Sequence, residues 1–212
     1  MEIEVVKFCP NHMLEVQIFE YFKQPVFYQC LDKELHKHFF ELGKKKEEKN
    51  GWKEAFRLYD VALKWNPVDL EILAAICHNS IQRKDWNTLK NYAEEALRYC
   101  YTNVDLARFY RYLGCYYLEI YQPVTAYALY QYSNEWNHTK AADMEIAYLE
   151  RAVPDLIKSF VATRSSEDEL KAMGIQRGPE KHTVAILKQA VIEESNIELK
   201  SIYKEMYDSI CR

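Results

Sequence analysis

Few residues in this chain combine types and spacings that support chemistry. Cys9 and His12 are potential metal ligands, but a zinc site requires three or four ligands and no second pair follows at a suitable spacing. Cys77 and His78 are adjacent, and neighbours in sequence point to different sides of a helix. The chain also lacks a glycine-rich phosphate-binding loop and a nucleophile elbow. We therefore expect a protein that is not an enzyme and that uses neither a metal nor a cofactor.

The distribution of charge argues against nucleic acid and membrane partners. The 212 residues include 28 Lys and Arg against 32 Asp and Glu, a formal net charge of −4, and both signs are interleaved. No broad positive field exists to neutralise phosphates, and no apolar run is long enough to span a bilayer. Glu2 and Glu4 stand where a secretory signal carries positive charge. We expect a cytoplasmic protein whose six scattered cysteines are reduced and mostly buried.

An internal repeat identifies the elements that would position a binding site. A shift of 34 residues places Trp52 on Trp86, and small and apolar residues coincide at further positions. This period is typical of a helix-turn-helix repeat. The first unit has its small, aromatic and turn residues at the spacing of the tetratricopeptide pattern, namely Phe39, Leu42, Gly43, Ala55, Tyr59, Ala62 and Pro67. The segment therefore resembles the tetratricopeptide repeats of bacterial scaffold proteins.

Two further units follow the first. The second has Cys77 where the pattern usually has Gly, and Leu89 where it usually has Ala. The third restores the pattern with Tyr110, Leu113, Gly114, Tyr117, Ala126, Tyr130 and Ser133. Three units are the usual minimum for independent stability. The resemblance implies an all-α chain that forms a right-handed α-solenoid of about three helix pairs with flanking capping helices.

The predicted organisation has four parts. They are an N-terminal extension with a capping helix (1–34), three repeat units (35–138, at about 36–69, 70–103 and 107–138), a helical connector (139–179) and a C-terminal helix pair that is a candidate degenerate unit (180–212). Pro154 breaks or kinks the connector. Residues Met1 to Phe8 contain a short extended pattern, which includes Ile3 and has no evident partner strand.

Turn residues support these bounds. Asn103 is placed to cap the first helix of the third unit, and Pro123 suits the first turn of its second helix. Ser166 and Glu169 have the spacing of a capping box for a short helix, which Gly174 would end. These local signals are independent of the repeat pattern and favour the same helix boundaries.

The resemblance also implies a binding surface. In this family the first helix of each pair lines a concave groove that holds a partner protein or peptide. The positions that correspond to that groove are Lys37, Phe40, Lys44, Glu71, Ala74, His78, Ile81, Arg108, Arg111, Cys115 and Leu118. Its basic residues favour an acidic segment or a C-terminal carboxylate, although Phe40, His78 and Cys115 depart from the family's terminal-carboxylate clamp. The alternative is that these are solvated charges on helix faces.

The tyrosines of the third unit suggest other functions. Eight of them point to several faces of its helices, namely Tyr110, Tyr112, Tyr116, Tyr117, Tyr121, Tyr127, Tyr130 and Tyr132. Aromatic rings with a polar tip are enriched at interfaces, but the chain's own C-terminal helices are an alternative partner for them. A homodimer formed through the third unit or the terminal helices is therefore our second hypothesis. A peptide-sensing regulatory subunit, as in bacterial regulators with similar repeats, is the third.

Overall fold

The structure, a computed structural model, describes residues 5–211 and is almost entirely helical. Its elements in chain order are β1 (Val6–Phe8), α1 (Met13–Lys23), β2 (Tyr28–Cys30), α2 (Leu35–Glu47), α3 (Trp52–Trp65), α4 (Leu70–Arg83), α5 (Trp86–Leu97), α6 (Asn103–Glu119), α7 (Pro123–Trp136), α8 (Lys140–Ala152), α9 (Pro154–Thr163), α10 (Ser166–Ala172), α11 (Lys181–Glu193) and α12 (Ile197–Ile210). The predicted all-α class is confirmed. None of the described helices has both the length and the apolar character needed to cross a bilayer.

The chain divides into two compact units between Asp85 and Trp86. This boundary falls between α4 and α5, the two helices of the second predicted repeat. Cys77 and Leu89, which replace the usual Gly and Ala of that repeat, are both fully buried. The first unit therefore contains the first predicted helix pair and α4, whereas the second unit contains α5, the third pair and all later helices.

The same kind of packing contact, between a glycine and a tyrosine ring, occurs within the first helix pair and within the third. A Cβ atom added at Gly43 of α2 would overlap the ring of Tyr59 on α3. A Cβ atom at Gly114 of α6 would lie 3.0 Å from the ring of Tyr130 on α7. Both tyrosines are buried, so the absence of a side chain at each glycine lets an aromatic ring fill the space between the helices. Gly43 thus lies where α2 and α3 approach each other closely.

The N-terminal extension contains a small parallel sheet. β1 pairs with β2 in a register that places Val6 opposite Tyr28 and Phe8 opposite Cys30. The expectation that the extended N-terminal segment lacks a partner strand is therefore wrong, although Ile3 lies outside the described residues. Parallel strands require a crossover connection, and α1 supplies it. The rings of Phe8 and Phe19 stack with their centroids 4.3 Å apart, which packs this crossover helix on the sheet.

A buried network of polar side chains attaches α1 to the helix pair that follows. The Asn11 Nδ2 amide donates to the carboxylates of Glu15, at 3.0 Å, and Asp69, at 2.8 Å. His36 Nε2 lies 2.9 Å from Asn11 Oδ1 and must donate, because that oxygen only accepts. Asn66 Nδ2 donates to Glu15 Oε2 at 2.8 Å. Asn11 is exposed and the other members are buried, so the network joins α1, α2 and the loop before α4 at the edge of the core.

This network makes the stability of the first unit dependent on pH. Burial lowers the pKa of His36 below its ordinary value, although the carboxylates of Asp69 and Glu15 oppose that shift. A histidine whose pKa is depressed on folding stabilises the fold above its unfolded pKa of about 6.5, and the stability is lost as the pH falls through the folded pKa. We expect the free energy of unfolding of the first unit to decrease from pH 7 to pH 5.

The comparison variant is His36→Gln, whose amide keeps a donor for Asn11 but does not titrate. Its free energy of unfolding should decrease less over the same pH range, as measured by urea unfolding followed by circular dichroism. Burial and the neighbouring Glu15 raise the pKa of Asp69, and that raised pKa acts in the opposite direction at lower pH. Equal pH slopes in the two proteins would show that His36 does not contribute the effect.

In the second unit the C-terminal segment folds back on the third helix pair. The hydroxyl of Tyr110 on α6 donates to the carbonyl of Gln176 at 3.1 Å. Thr183 Oγ1 on α11 donates to the carbonyl of Arg98 at 2.6 Å. Helices α8 and α10 pack on α7, and α12 packs on α11 and contacts α6. The C-terminal helices α11 and α12 thus form a pair, and α12 contacts α6 of the third repeat.

The cap of α6 lies one residue earlier than predicted. Thr102 is the N-cap, because its hydroxyl accepts a hydrogen bond from the backbone N–H of Asp105. Asn103 is the first helical residue, and its side-chain amide donates to the carbonyl of Trp136 at 3.0 Å. Asn103 therefore links the start of α6 to the end of α7 and does not cap α6.

The capping box of α10 is also displaced by one residue. It is formed by Ser165 and Asp168 and not by Ser166 and Glu169. Glu169 is buried and accepts a hydrogen bond from Thr125 Oγ1 on α7 at 2.7 Å. The glutamate is thus used for contact with α7, which explains why it is not available to the cap.

Candidate functional site

The predicted groove residues are distributed over both compact units. Helices α2 and α4 of the first unit hold Lys37, Phe40, Lys44, Glu71, Ala74, His78 and Ile81. Helix α6 of the second unit holds Arg108, Arg111, Cys115 and Leu118. Within each helix these residues recur at intervals of three or four, so they share one helix face.

The two predicted groove lysines of α2 are paired with nearby acids. Lys37 forms an ion pair with Glu34 at 2.6 Å, and Lys44 forms one with Glu41 at 3.0 Å. Lys44 also lies over the ring of Phe40, 5.3 Å from its centroid. All four charged side chains are about half exposed or more, so the pairs are solvated and add little to stability. The positive field predicted at this helix face is largely neutralised locally.

Helix α4 presents less surface than predicted. Ala74 is buried, with 6% of its surface exposed, and offers no accessible side chain. His78 is exposed and directs its ring toward the edge of Trp52, with the centroids 6.4 Å apart. Of the predicted residues on α4, His78 and Glu71 are the exposed ones, while Ile81 is half-buried.

Helix α6 presents a guanidinium without a carboxylate partner. Arg111 is half-buried and donates from Nη1 to the carbonyl of Asn137 at 3.3 Å. Among the described residues it forms no ion pair. Burial and the neighbouring positive charge of Arg108 lower the pKa of Arg111, so the two guanidinium groups lie close together. A desolvated arginine beside a second arginine favours an anion, since a carboxylate can accept two parallel N–H bonds from it.

A surface depression of about 640 Å³ lies beside the C-terminal end of α6 and is lined by α6 and α8. The residues that line it are Leu118, Glu119, Tyr121, Met144, Glu145, Ala147, Tyr148 and Arg151. We call it the α6–α8 depression. Leu118 is the one predicted groove residue among them. Met144 and Tyr148 are one helical turn apart on α8 and are 72% and 51% exposed, so they form an apolar wall that faces water.

No repeat signal in the sequence predicts the contribution of α8. The N-caps Thr102 and Thr139 are 37 residues apart, and both accept from the backbone N–H three residues later. At that offset, however, Arg151 takes the place of Gly114. The small residue that marks a repeat is therefore absent from α8. The polar residue types of Glu145 and Tyr148 were the available sign in the sequence that this helix does not bury every face.

Two carboxylates give the α6–α8 depression a negative field near Cys115. Burial is the main cause that raises the pKa of the Cys115 thiol to about 11, and Glu119 and Glu145 raise it further. Cys115 therefore stays protonated at neutral pH and does not act as a nucleophile. The same two acids contribute to the raised pKa of Tyr130, after burial and Cys115. Both carboxylates thus converge on one part of the α6 surface.

The chain was compared with models of protein families, with curated proteins and with solved structures. No match was found. The likeness to the tetratricopeptide repeat therefore depends on the residue pattern and on contacts such as the one between Gly43 and Tyr59.

Most tyrosines of the third unit are buried within the chain. Five of the eight are buried, namely Tyr110, Tyr117, Tyr127, Tyr130 and Tyr132. The turn at Gly178 lies against this aromatic cluster, since a Cβ atom added there would be 3.5 Å from the ring of Trp136. Tyr112 and Tyr116 are half-buried, and Tyr121, which lines the α6–α8 depression, is 93% exposed. Packing by the C-terminal segment thus accounts for much of the tyrosine content.

The described residues contain no group of three or more His, Cys, Asp or Glu side chains that is arranged to hold a metal ion. Cys9 is buried, and Asn11 beside it belongs to the polar network with Glu15 and Asp69. The segment Cys9 to His12 therefore has a clear part in attaching α1.

Proposed function

We propose that this chain is a scaffold of tetratricopeptide-like helix pairs that binds a partner protein or peptide on the face formed by α6 and α8. The observation that supports the proposal best is the unpaired, half-buried Arg111 next to Arg108 on the same helix face as the α6–α8 depression. A helix face that combines a desolvated cation with exposed apolar side chains is suited to bind a peptide rather than to stay in water. Stepwise stacking of the helix pairs into a solenoid is part of this proposal.

The proposed ligand group at the arginines is a carboxylate, either at a peptide C-terminus or in an acidic segment. The Arg111 guanidinium supplies several N–H donors, and one of them is already held by the carbonyl of Asn137. That bond fixes the orientation of the planar group before a ligand arrives. We also propose a reducing compartment such as the cytoplasm, because Cys30 and Cys211 expose free thiols.

Charge reversal of both arginines tests this proposal. Arg108→Glu combined with Arg111→Glu should weaken the binding of specific partners by about tenfold or more, since attraction for a carboxylate becomes repulsion. Partners captured by each immobilised protein would be quantified by mass spectrometry. The matched control is Lys188→Glu with Lys204→Glu, which makes the same change in net charge at exposed positions of α11 and α12.

The outcomes of this comparison separate a local effect from a general one. Partners that the lysine control retains and the arginine variant loses support binding at α6. If the arginine variant retains every partner that the original chain binds, the carboxylate mechanism is wrong. An unchanged circular dichroism spectrum and unfolding midpoint in both variants shows that the helices remain folded.

Self-association is the second candidate function, and the terminal helices favour it. Around the turn between α11 and α12 four aliphatic side chains are exposed by 41% to 85%, namely Ile192, Ile197, Leu199 and Ile202. An apolar group of this kind is typical of a surface that a second copy covers. Light scattering behind size exclusion should then show a dimer, and Ile197→Lys with Ile202→Lys should convert it to a monomer. A mass that stays monomeric at all concentrations would remove this candidate.

A further inference from the structure

The face of α6 and α8 has an electrostatic polarity along its length. Arg111 lies at the middle of α6 and Arg108 about one turn before it, whereas Glu119 ends that helix. Eight residues separate Arg111 from Glu119, which corresponds to about 12 Å along the helix axis. Glu145 on α8 adds a second carboxylate at the same end, where it lines the depression with Glu119. One end of the surface is therefore cationic and the other end is anionic.

The two carboxylates are available to a ligand. Among the described residues, neither Glu119 nor Glu145 forms a hydrogen bond or an ion pair. Both line the same depression. Carboxylates that converge without a cation repel one another, and a positively charged side chain placed between them relieves that repulsion.

Arg151 reduces this negative field but does not cancel it. Its Nε donates to the carbonyl of Ala147 on its own helix at 3.0 Å. Six residues separate it from Glu145, which is about 9 Å along α8. The end of the depression near Glu119 and Glu145 therefore keeps two acids against one more distant base.

Exposed apolar side chains line the same depression. Met144 is 72% exposed, Tyr148 is 51% exposed, and Leu118 lies on the opposite helix. Methionine adapts its shape to a partner, and a tyrosine ring offers contact area at low entropic cost. If a ligand carries an aliphatic side chain next to its cationic residue, Met144, Tyr148 and Leu118 would pack against that aliphatic side chain.

We infer that the α6–α8 depression selects an extended peptide end in which a basic residue is followed by an aliphatic residue, about four residues before a free C-terminal carboxylate. The basic side chain lies between Glu119 and Glu145, the aliphatic one against Met144 and Tyr148, and the carboxylate at Arg111. An extended chain rises about 3.4 Å per residue, so four residues span the 12 Å between the two charged ends. This inference rests on the proposed binding function and specifies the chemistry of the partner.

Three synthetic peptides test the inference with the full chain. The first is acetyl-Lys-Leu-Ala-Ser-Ala with a free C-terminal carboxylate, which places its charges at the required separation. The second replaces its Lys by Glu, and the third has a C-terminal amide in place of the carboxylate. Binding is followed by nuclear magnetic resonance of the backbone amides of α6 and α8 during peptide titration. We expect the first peptide to bind about tenfold more tightly than the second, because one charge pair changes from attraction to repulsion.

Matched variants of the chain test whether the basic side chain of the peptide contacts Glu119 and Glu145. Glu119→Gln with Glu145→Gln should remove the preference for the Lys peptide over the Glu peptide and leave the preference for the carboxylate over the amide. Glu198→Gln with Glu205→Gln, both exposed on α12, removes the same charge elsewhere and should change neither preference. Glutamine has nearly the same size and shape as glutamate, so we expect the helices of both variants to remain folded.

The possible failures have different meanings. Equal binding of the Lys and Glu peptides, with resonance shifts on α6 and α8, would overturn the selection of a basic residue and leave the proposed binding function in place. The same conclusion would follow if the variant Glu119→Gln with Glu145→Gln preferred the Lys peptide over the Glu peptide as strongly as the original chain does. If none of the three peptides shifts any resonance of α6 or α8 at millimolar concentration, both the inference and the carboxylate mechanism of the proposed function are wrong.

Discussion

Replacement of Asn11 by alanine is expected to destabilise the first compact unit by about 3 kcal/mol, since a buried charged group that loses its hydrogen bond costs more than a neutral one. The Asn11 side chain donates to Glu15 and Asp69 and accepts from His36. All three partners are buried, with 1% to 7% of their surface exposed, whereas Asn11 is exposed, so water should replace the lost bonds only in part. The free energy would be measured from hydrogen exchange of the amides in α2 and α3.

Two further variants test the cause of this loss. Asn11→Asp keeps the size of the side chain but adds a third carboxylate next to Glu15 and Asp69, so it should be the less stable of the two variants at pH 7. Protonation relieves repulsion between acids, and the deficit of Asn11→Asp should shrink as the pH is lowered. Asn196→Ala removes only the exposed N-cap of α12 and should cost about 1 kcal/mol in the second unit. A loss in Asn11→Ala no larger than that would contradict the importance of the network.

The network also shows where inference from the sequence stops. Asn11, His36 and Asp69 are far apart along the chain, and their residue types are typical of exposed turns and helix ends. Periodicity identifies helices from apolar faces, and it contains no information on which polar groups are buried together. The same limit applies to β1 and β2, because a three-residue strand has too little alternation to reveal its partner.

The helix pairs, in contrast, were predictable because local and repeated signals agree. Pro123 opens α7 and Pro154 opens α9, where each fixes the backbone for the first helical turn. Gly174 has the positive φ of +67° that suits the end of α10. The period of 34 residues independently indicates the first two helix pairs. Agreement between capping, turn and packing signals is what makes an assignment of this kind reliable.

The candidate site was predicted only in part. The cationic end on α6 follows from the spacing of Arg108 and Arg111, which lies within the repeat pattern. The anionic end depends on Glu145 of α8, a helix that lacks the small residue of the repeat and was assigned to a connector. Ala74 was named as a groove residue because its position corresponds to the groove in the repeat family, and the structure shows that it is buried.

Replacement of Gly43 by alanine is expected to destabilise the first unit by about 2 kcal/mol, the typical cost of overpacking a core. In an exposed helix the same change would stabilise by about 1 kcal/mol, because alanine is the better helix former. The sign is reversed here because the added methyl group would overlap the ring of Tyr59, which is fully buried and has no space to move. Urea unfolding of the single variant measures the net effect.

A double-mutant cycle separates the two contributions to this effect. Tyr59→Leu removes the ring atoms that the new methyl group would meet, so in that background Gly43→Ala should become neutral or stabilising by up to about 1 kcal/mol. Gly114→Ala is the internal comparison, since its methyl group would meet Tyr130 at 3.0 Å without overlap and should cost less than Gly43→Ala. If Gly43→Ala destabilises the chain with Tyr59 and the Tyr59→Leu variant by the same amount, then the close approach of Gly43 to the Tyr59 ring is not the reason that glycine is required. The reversal of sign is therefore a direct measure of the contact that the repeat pattern encodes.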